Sequence, residues 1–325
     1  MIIYAGIDEA GYGPVLGPLV VGRTVFRLDG AAFEGTPPSL WAAMKSVVCR
    51  KKGDRRGRIA IDDSKILHTG WHGLRNLERG VLSFLWTAGT RPASLDEMLA
   101  VTAFDGPSRA SELPWYADPD GRPRLPVHAD PDDLSASMRR LRRVAGRKGI
   151  RLENMGTAVV FEDRFNSLVR RAGTKSVCVW EFVAGHLRFI WENYGDCRPF
   201  VAVDQLGGRT DYRGLLATSL PWADVVMSEG TDGLPAYILR DDGREMQVVF
   251  RVRCEEAHLP VALASMLAKY TRELFMVRFR AFWQDLAPGI RPTYGYLPDG
   301  NRFIDEIMPL MDSLGIRRED LVRSC

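Results

Sequence analysis

Cysteine is scarce and scattered. The five residues, Cys49, Cys178, Cys197, Cys254 and Cys325, are odd in number and never show the C-x-x-C spacing. That pattern fits reduced thiols in a cytoplasmic protein, and neither a disulfide framework nor a cysteine zinc site. Histidine is equally sparse at five residues. His68 and His72 are four apart, but Gly70 lies between them in a loop-like context, so a histidine zinc site is not expected. Charge of one sign is lacking too: 44 basic against 41 acidic residues leave +3. Any surface for a charged partner must therefore be local. No apolar run is long enough to cross a membrane. Asp8 and Glu9 stand where a secretory leader would need its apolar stretch, so export is not expected. No internal repeat or low-complexity tract occurs.

What remains is an ordinary globular composition, 46% hydrophobic and 26% charged over 325 residues. Residues 1–28 predict a hairpin: apolar Ile2 to Ile7 and Leu19 to Phe26 flank Gly11-Tyr12-Gly13-Pro14 and Gly17-Pro18. Helices are predicted over 39–49, 71–86, 132–146, 174–194, 211–219, 259–286 and 302–314. Strands are predicted over 58–61, 151–161, 200–203 and 223–227. Segments 236–239 and 246–252 form a hairpin about Asp241-Asp242-Gly243. Prolines and glycines recur from 89 to 131, which suggests an insertion or lid. Early hairpin strands followed by mixed strands and helices predict an α/β protein with a mixed sheet flanked by helices. One domain over 1–325 is expected, with an inserted segment at about 89–160 and a C-terminal helical part at about 286–325.

The chemistry lies in carboxylates. Asp8 and Glu9 close an apolar strand before a glycine turn. Neighbouring strand residues face opposite sides, so both reach one site only if the strand bends or ends there. Asp204 closes the buried-type strand Val201-Ala202-Val203. Ser265, Lys269 and Glu273 are spaced by four and share one helix face, and Ala262, Ala264 and Ala268 permit close helix–sheet packing. Converging acids repel and raise one another's pKa unless a cation intervenes. Oxygen-only donors select Mg²⁺ or Mn²⁺. Two such ions about 3.5–4 Å apart form the clamp used for phosphodiester hydrolysis.

Together these segments resemble the type 2 ribonuclease H family (ribonucleases HII and HIII). Residues 6–22 match its opening motif. Asp63-Ser64-Lys65 is similar to its D-S-K motif, Asp204-Gln205 to its third acidic position, and Ala264 to Glu273 to its A-S-x-x-A-K-x-x-R-[D/E] helix, all in the family's order. The resemblance implies a ribonuclease H fold with Asp8 on the first, central strand. It implies Asp8, Glu9, Asp204 and Glu273 as metal-binding catalytic acids, two divalent ions in turnover, and cleavage of RNA in RNA–DNA hybrids or ribonucleotide-containing duplexes, leaving 3′-hydroxyl and 5′-phosphate. It further implies nucleic-acid contacts from Gly11, Tyr12, Gly13, Ser64, Lys65, Ser265 and Lys269, with Tyr296 as the tyrosine after the catalytic helix and Tyr294 as its rival. Tyr12 replaces the arginine of the HII-type G-R-G loop. It substitutes an aromatic stacking group for a phosphate-directed cation.

Two basic clusters stand apart from the motifs: Arg50, Lys51, Lys52, Arg55, Arg56 and Arg58, and Arg139, Arg140, Arg142, Arg143, Arg147, Lys148 and Arg151. Either suits a phosphate backbone or a solvated face. Three functions follow from the sequence: a two-metal ribonuclease, an inactive nucleic-acid-binding module on the same fold, or a related nuclease with another substrate. A monomer is expected.

Overall fold

The computed structural model describes residues 1–30, 35–69, 73–104, 109–117, 122–230 and 233–324. Gly70, Trp71, His72, Pro107, Pro119, Gly121 and Cys325 lie outside the described residues. Nine strands occur among them: β1 (Ile2–Ala10), β2 (Leu19–Leu28), β3 (Val48–Cys49), β4 (Ile59–Ala60), β5 (Ile150–Val160), β6 (Phe200–Asp204), β7 (Asp224–Glu229), β8 (Pro235–Asp241) and β9 (Arg244–Arg251). The helices are α1 (Leu40–Ala43), α2 (Ser64–Leu67), α3 (Gly73–Thr87), α4 (Leu95–Thr102), α5 (Pro131–Arg147), α6 (Glu162–Ala172), α7 (Lys175–Tyr194), α8 (Arg213–Ser219), α9 (Leu259–Leu286), α10 (Asp299–Leu314) and α11 (Arg318–Leu321).

Seven strands form one mixed sheet in the order β5-β2-β1-β6-β9-β8-β7. The β5-β2-β1 side is antiparallel, β1-β6-β9 is parallel, and β9-β8-β7 is antiparallel again. This is the expected α/β architecture, with Asp8 on the first, central strand. Alternation along β1 builds two cores. Ile2 and Tyr4 join the core under α9, α3 and α5, while Ile3, Ala5 and Ile7 join the core under α7.

Helix α9 lies on β1 and β2 at backbone contact. A Cβ on Gly6 would come within 2.2 Å of Val261 N, and one on Gly22 within 2.4 Å of the Ala264 carbonyl oxygen. The alanines Ala262, Ala264 and Ala268 are fully buried there. Thr24 Oγ1 donates to Pro260 O at 2.7 Å. The α9 register against the sheet is therefore set by missing side chains on both surfaces.

Several local expectations change. The helix predicted over 39–49 shrinks to α1, because Val48 and Cys49 pair in parallel with Ile59 and Ala60. The D-S-K segment, for which no helix was predicted, opens α2, with the Asp63 carboxylate accepting from Lys65 N. The α6 helix had no expectation. The described residues of the proline-rich stretch include α4 and are tied down: Leu125 N donates to Ala93 O, and Trp115 and Tyr116 are buried. Its anchor is Glu78 of α3, fully buried, which accepts from the backbone N–H groups of Val127, His128 and Ala129 and from Tyr270 Oη at 2.6–2.7 Å. The strand expected over 151–161 is β5, the sheet edge beside β2. The two-residue turn joining β8 and β9 has positive φ at Asp242 and Gly243, as a primed hairpin turn requires.

Candidate active site

The strand register brings acids together. Ile7 pairs with Val203, so Asp204, the last residue of β6, lies level with Asp8 on its neighbour. β1 continues through Ala10, paired to Val20 of β2. The two acids reach one place by a route other than a bend in β1. β6 stops at Asp204, level with Asp8, so Glu9 runs one residue past it and the two acids approach that end from opposite faces of β1. The carboxyl ends of parallel strands are the usual place for such a site.

The Asp8 side chain is buried on the α9 face, and hydrogen bonds from Ser265 and from Glu9 N, the latter at 2.7 Å, reach its carboxylate. Burial, then the charges of Glu9 and Asp204, push the Asp8 carboxyl well above its ordinary range. Glu9 is pushed up to about 7 by burial and by Asp204. Its Oε2 is buried without a hydrogen-bond partner. Asp204 is raised by burial, although Cys254 N donates to it at 3.0 Å. Three acids thus share one electrostatic site. Lys65, exposed at the start of α2, is the cation that lowers both Glu9 and Asp204.

Ser64 and Ser265 meet Oγ to Oγ at 2.9 Å, joining α2 to α9 beside Asp8. Glu273 is placed differently. It lies eight residues beyond Ser265, about 12 Å along the helix. Lys269 Nζ is 2.9 Å away, Arg272 Nη1 3.1 Å and His68 Nε2 3.9 Å. Burial raises its carboxyl, but Lys269, Arg272 and His68 outweigh that and hold it below the usual value. Lys269 Nζ also donates to Tyr296 Oη at 3.0 Å, and both Lys269 and Arg272 lie over the Tyr296 ring. Tyr294 instead carries Arg280 on its ring.

The glycine turn is a clamped loop. Gly11 and Gly17 have φ of +90° and +88°, and a Cβ on Gly11 would meet Pro18 O at 2.6 Å. Nothing lies near a Cβ on Gly13. Gly17 N donates to Glu162 Oε1, Val15 N to Gly295 O, and Arg272 Nη2 to Leu16 O. Tyr12 is half-buried against the α7 core, with its hydroxyl toward Gly207 and close enough to Glu9 for that charge to raise its pKa alongside burial.

The structure therefore gathers Asp8, Glu9 and Asp204 with Ser64, Lys65 and Ser265, and groups Glu273 with Lys269 and Tyr296. Gly11, Tyr12 and Gly13 form the adjoining loop. In the sequence Asp63 and Arg272 are legible only as motif positions, and sequence reasoning missed Glu255 and Glu162: beyond burial, Asp63 raises Asp204, and Asp204 and Asp63 raise Glu255, while Arg272 and Glu162 hold the loop. Glu255 follows β9, the next parallel strand, so its position was hidden until the strand order was known. The donor set of the three-acid cluster fits a hard cation by chemistry: oxygen-only, partly buried, mutually repelling, with an orphaned Glu9 oxygen. Among the described residues no three His, Cys, Asp or Glu side chains already converge at metal-holding distances.

No protein-family model matches the chain, and no curated protein matches it. Solved structures resemble it distantly. The structure of the PCNA:RNase HII complex from Archaeoglobus fulgidus matches at 17% identity and a TM-score of 0.40, over 98% of this chain and 93% of that one. Ribonuclease H2 from Pyrococcus horikoshii OT3 matches at 15% and 0.40, over 98% and 92%. Bst-RNase HIII in complex with Mn²⁺ matches at 13% and 0.39, over 99% and 66%. Likeness at that level assigns no role to any residue.

Proposed function

We propose that this chain is a divalent-metal nuclease of the type 2 ribonuclease H kind, cutting the RNA strand of RNA–DNA hybrids and leaving 3′-hydroxyl and 5′-phosphate. One observation carries the reading: Asp8, buried, and Glu9 and Asp204, half-buried, meet from two parallel strand ends with raised pKa values and a buried, unpartnered Glu9 oxygen. A purely structural strand end has no reason to bear that electrostatic cost.

In this reading Asp8, Glu9 and Asp204 hold Mg²⁺ or Mn²⁺, while Glu273, paired with Lys269 and Arg272, stands outside that set. Bound divalent ions supply an activated water and stabilise the leaving oxygen's charge. The chain's own groups do the rest. Ser265 fixes the Asp8 rotamer, and its bond to Ser64 fixes α2. Lys65 offers a charge to the backbone phosphate. The Gly11–Gly13 loop presents backbone groups to the ribose. Tyr12 and Tyr296 offer ring faces to a base or sugar.

A panel of RNA–DNA hybrid, duplex with one ribonucleotide, single-stranded RNA and DNA tests this, with product ends mapped in Mg²⁺ or Mn²⁺. Cleavage of the first two is expected. Asp8→Asn should slow it by a factor of about 100 or more, the scale of losing a direct electrostatic contact to the transition state. Equal rates for wild type and Asp8→Asn would remove the assigned site.

A second reading, a nucleic-acid-binding module without turnover, is favoured by one feature: Glu273 is neutralised by Lys269 and Arg272 instead of facing the other acids. Nucleic-acid binding with no divalent uptake in a metal titration would select it.

A further inference from the structure

We propose that the 50–58 loop, the first turns of α3 and the exposed face of α5 form one phosphate-binding track that leads away from the candidate active site and holds the duplex beyond the cut. This rests on the nucleic-acid reading above. The two basic clusters are far apart in sequence but joined in space. Lys52 Nζ donates to Thr69 Oγ1 at 2.5 Å and to Ile66 O at 3.4 Å, latching the loop to α2, the helix of Ser64 and Lys65. Arg79 of α3 donates to Arg58 O at 2.7 Å and Gly57 O at 2.9 Å, and pairs with Asp133 of α5 at 2.6 Å. Arg140 of α5 reaches Gly57 O and Ser46 O. The chain of contacts thus runs from the acid cluster to α5 without a break.

Between these elements lies an open cavity of about 500 Å³, whose lining includes Lys52, Arg58, Arg75 and Arg79 against the acids Asp54 and Asp133. Both acids are already taken, Asp54 by Arg58 and Asp133 by Arg79. Lys52 meets only neutral acceptors, and Arg75 is exposed with no carboxylate partner among the described residues. The cavity keeps an excess of uncompensated positive charge, which an anion would balance.

The α5 helix extends the pattern. Arg139, Arg143 and Arg147 are exposed, four apart on one face, and have no carboxylate partner among the described residues. Like charges at that spacing destabilise a helix. The helix dipole accounts for Arg147 in the last turn, but not for the two before it. Arg139 to Arg147 covers about 12 Å, or about three phosphate steps of one strand.

The test is binding by the full chain in EDTA, where cleavage is silent. Hybrids of about 8 and about 20 base pairs are titrated across a salt series. The triple variant Arg75→Ala, Arg139→Ala, Arg143→Ala should bind the long hybrid about tenfold more weakly. The slope of log K against log salt should fall by about 2 to 3, with the short hybrid unaffected. The Arg→Lys triple should restore both, because a phosphate accepts a point charge. Arg170→Ala with Arg317→Ala, exposed on the α6 and α11 side, is the control and should change nothing. Unchanged affinity and slope for the long hybrid would overturn the track while leaving the nuclease reading intact. Salt-sensitive, length-dependent loss in the variant, with no cleavage by wild type in Mg²⁺ or Mn²⁺, would keep the track and remove the nuclease reading.

Discussion

Replacing Glu9 by glutamine should make the metal-free protein more stable, with a gain that grows from about pH 4.5 and is complete above about pH 7. In the folded chain Glu9 keeps its proton up to about 7, because burial and Asp204 disfavour its charge. In the unfolded chain the proton leaves near the ordinary 4.5. Between those values the unfolded state binds fewer protons. Stability therefore falls as pH rises from 4.5 to about 7 and stays low above it. The gap, at about 1.4 kcal/mol per pH unit, sets an upper bound of about 3–4 kcal/mol. Proton sharing with Asp8 and Asp204 reduces this to about 1–2 kcal/mol, or a rise of roughly 2–4 °C in melting temperature.

The assay is thermal unfolding of wild type and Glu9→Gln in EDTA at pH 4.5 and pH 8. Equal melting at pH 4.5 and a higher melting temperature for the variant at pH 8 are expected. Saturating Mg²⁺ should reverse the order at pH 8, since a ligand at 100 times its Kd contributes about 2.7 kcal/mol to the protein that binds it. A variant that melts at or below wild type at pH 8 in EDTA would refute the claim that Glu9 is held against its own charge. So would the same gain at both pH values.

Two further outcomes follow from packing. Gly22→Ala drives a Cβ to 2.4 Å from the Ala264 carbonyl oxygen, so α9 must lift from β2. A loss of about 3 kcal/mol is expected in denaturant unfolding, and a midpoint matching wild type would show that the helix–sheet contact yields freely. Glu78→Ala strips the shared acceptor from three N–H groups, of which Ala129's is buried and the other two part-buried, and from the buried Tyr270 hydroxyl. Stability should fall by about 4 kcal/mol, and hydrogen exchange at Val127 to Ala129 should accelerate first. Unaltered protection there would mean that other contacts hold the segment.

The chain's linear order already carried the strands, the long helices and the acids, because those signals are local. Apolar alternation in Ile2 to Ile7, turn chemistry at Asp242-Gly243 and apolar runs in α7 and α9 each depend on a few neighbouring residues. Asp8, Glu9 and Asp204 were legible for the same reason: each is a charge closing an apolar strand. The long-range arrangement was not. That β6 stops level with Asp8, so that acids on two faces of β1 share one site, is a fact of strand register. That Glu273 meets Lys269 and Arg272 before it meets another acid depends on how far α9 runs past the end of β6. Nothing in the sequence marks Glu78, whose three backbone donors come from a distant segment, and the two basic clusters became one surface only when Arg79 tied α3, α5 and the 50–58 loop together. Sequence periodicity says which way a side chain faces along its own element; only packing between elements decides what it faces.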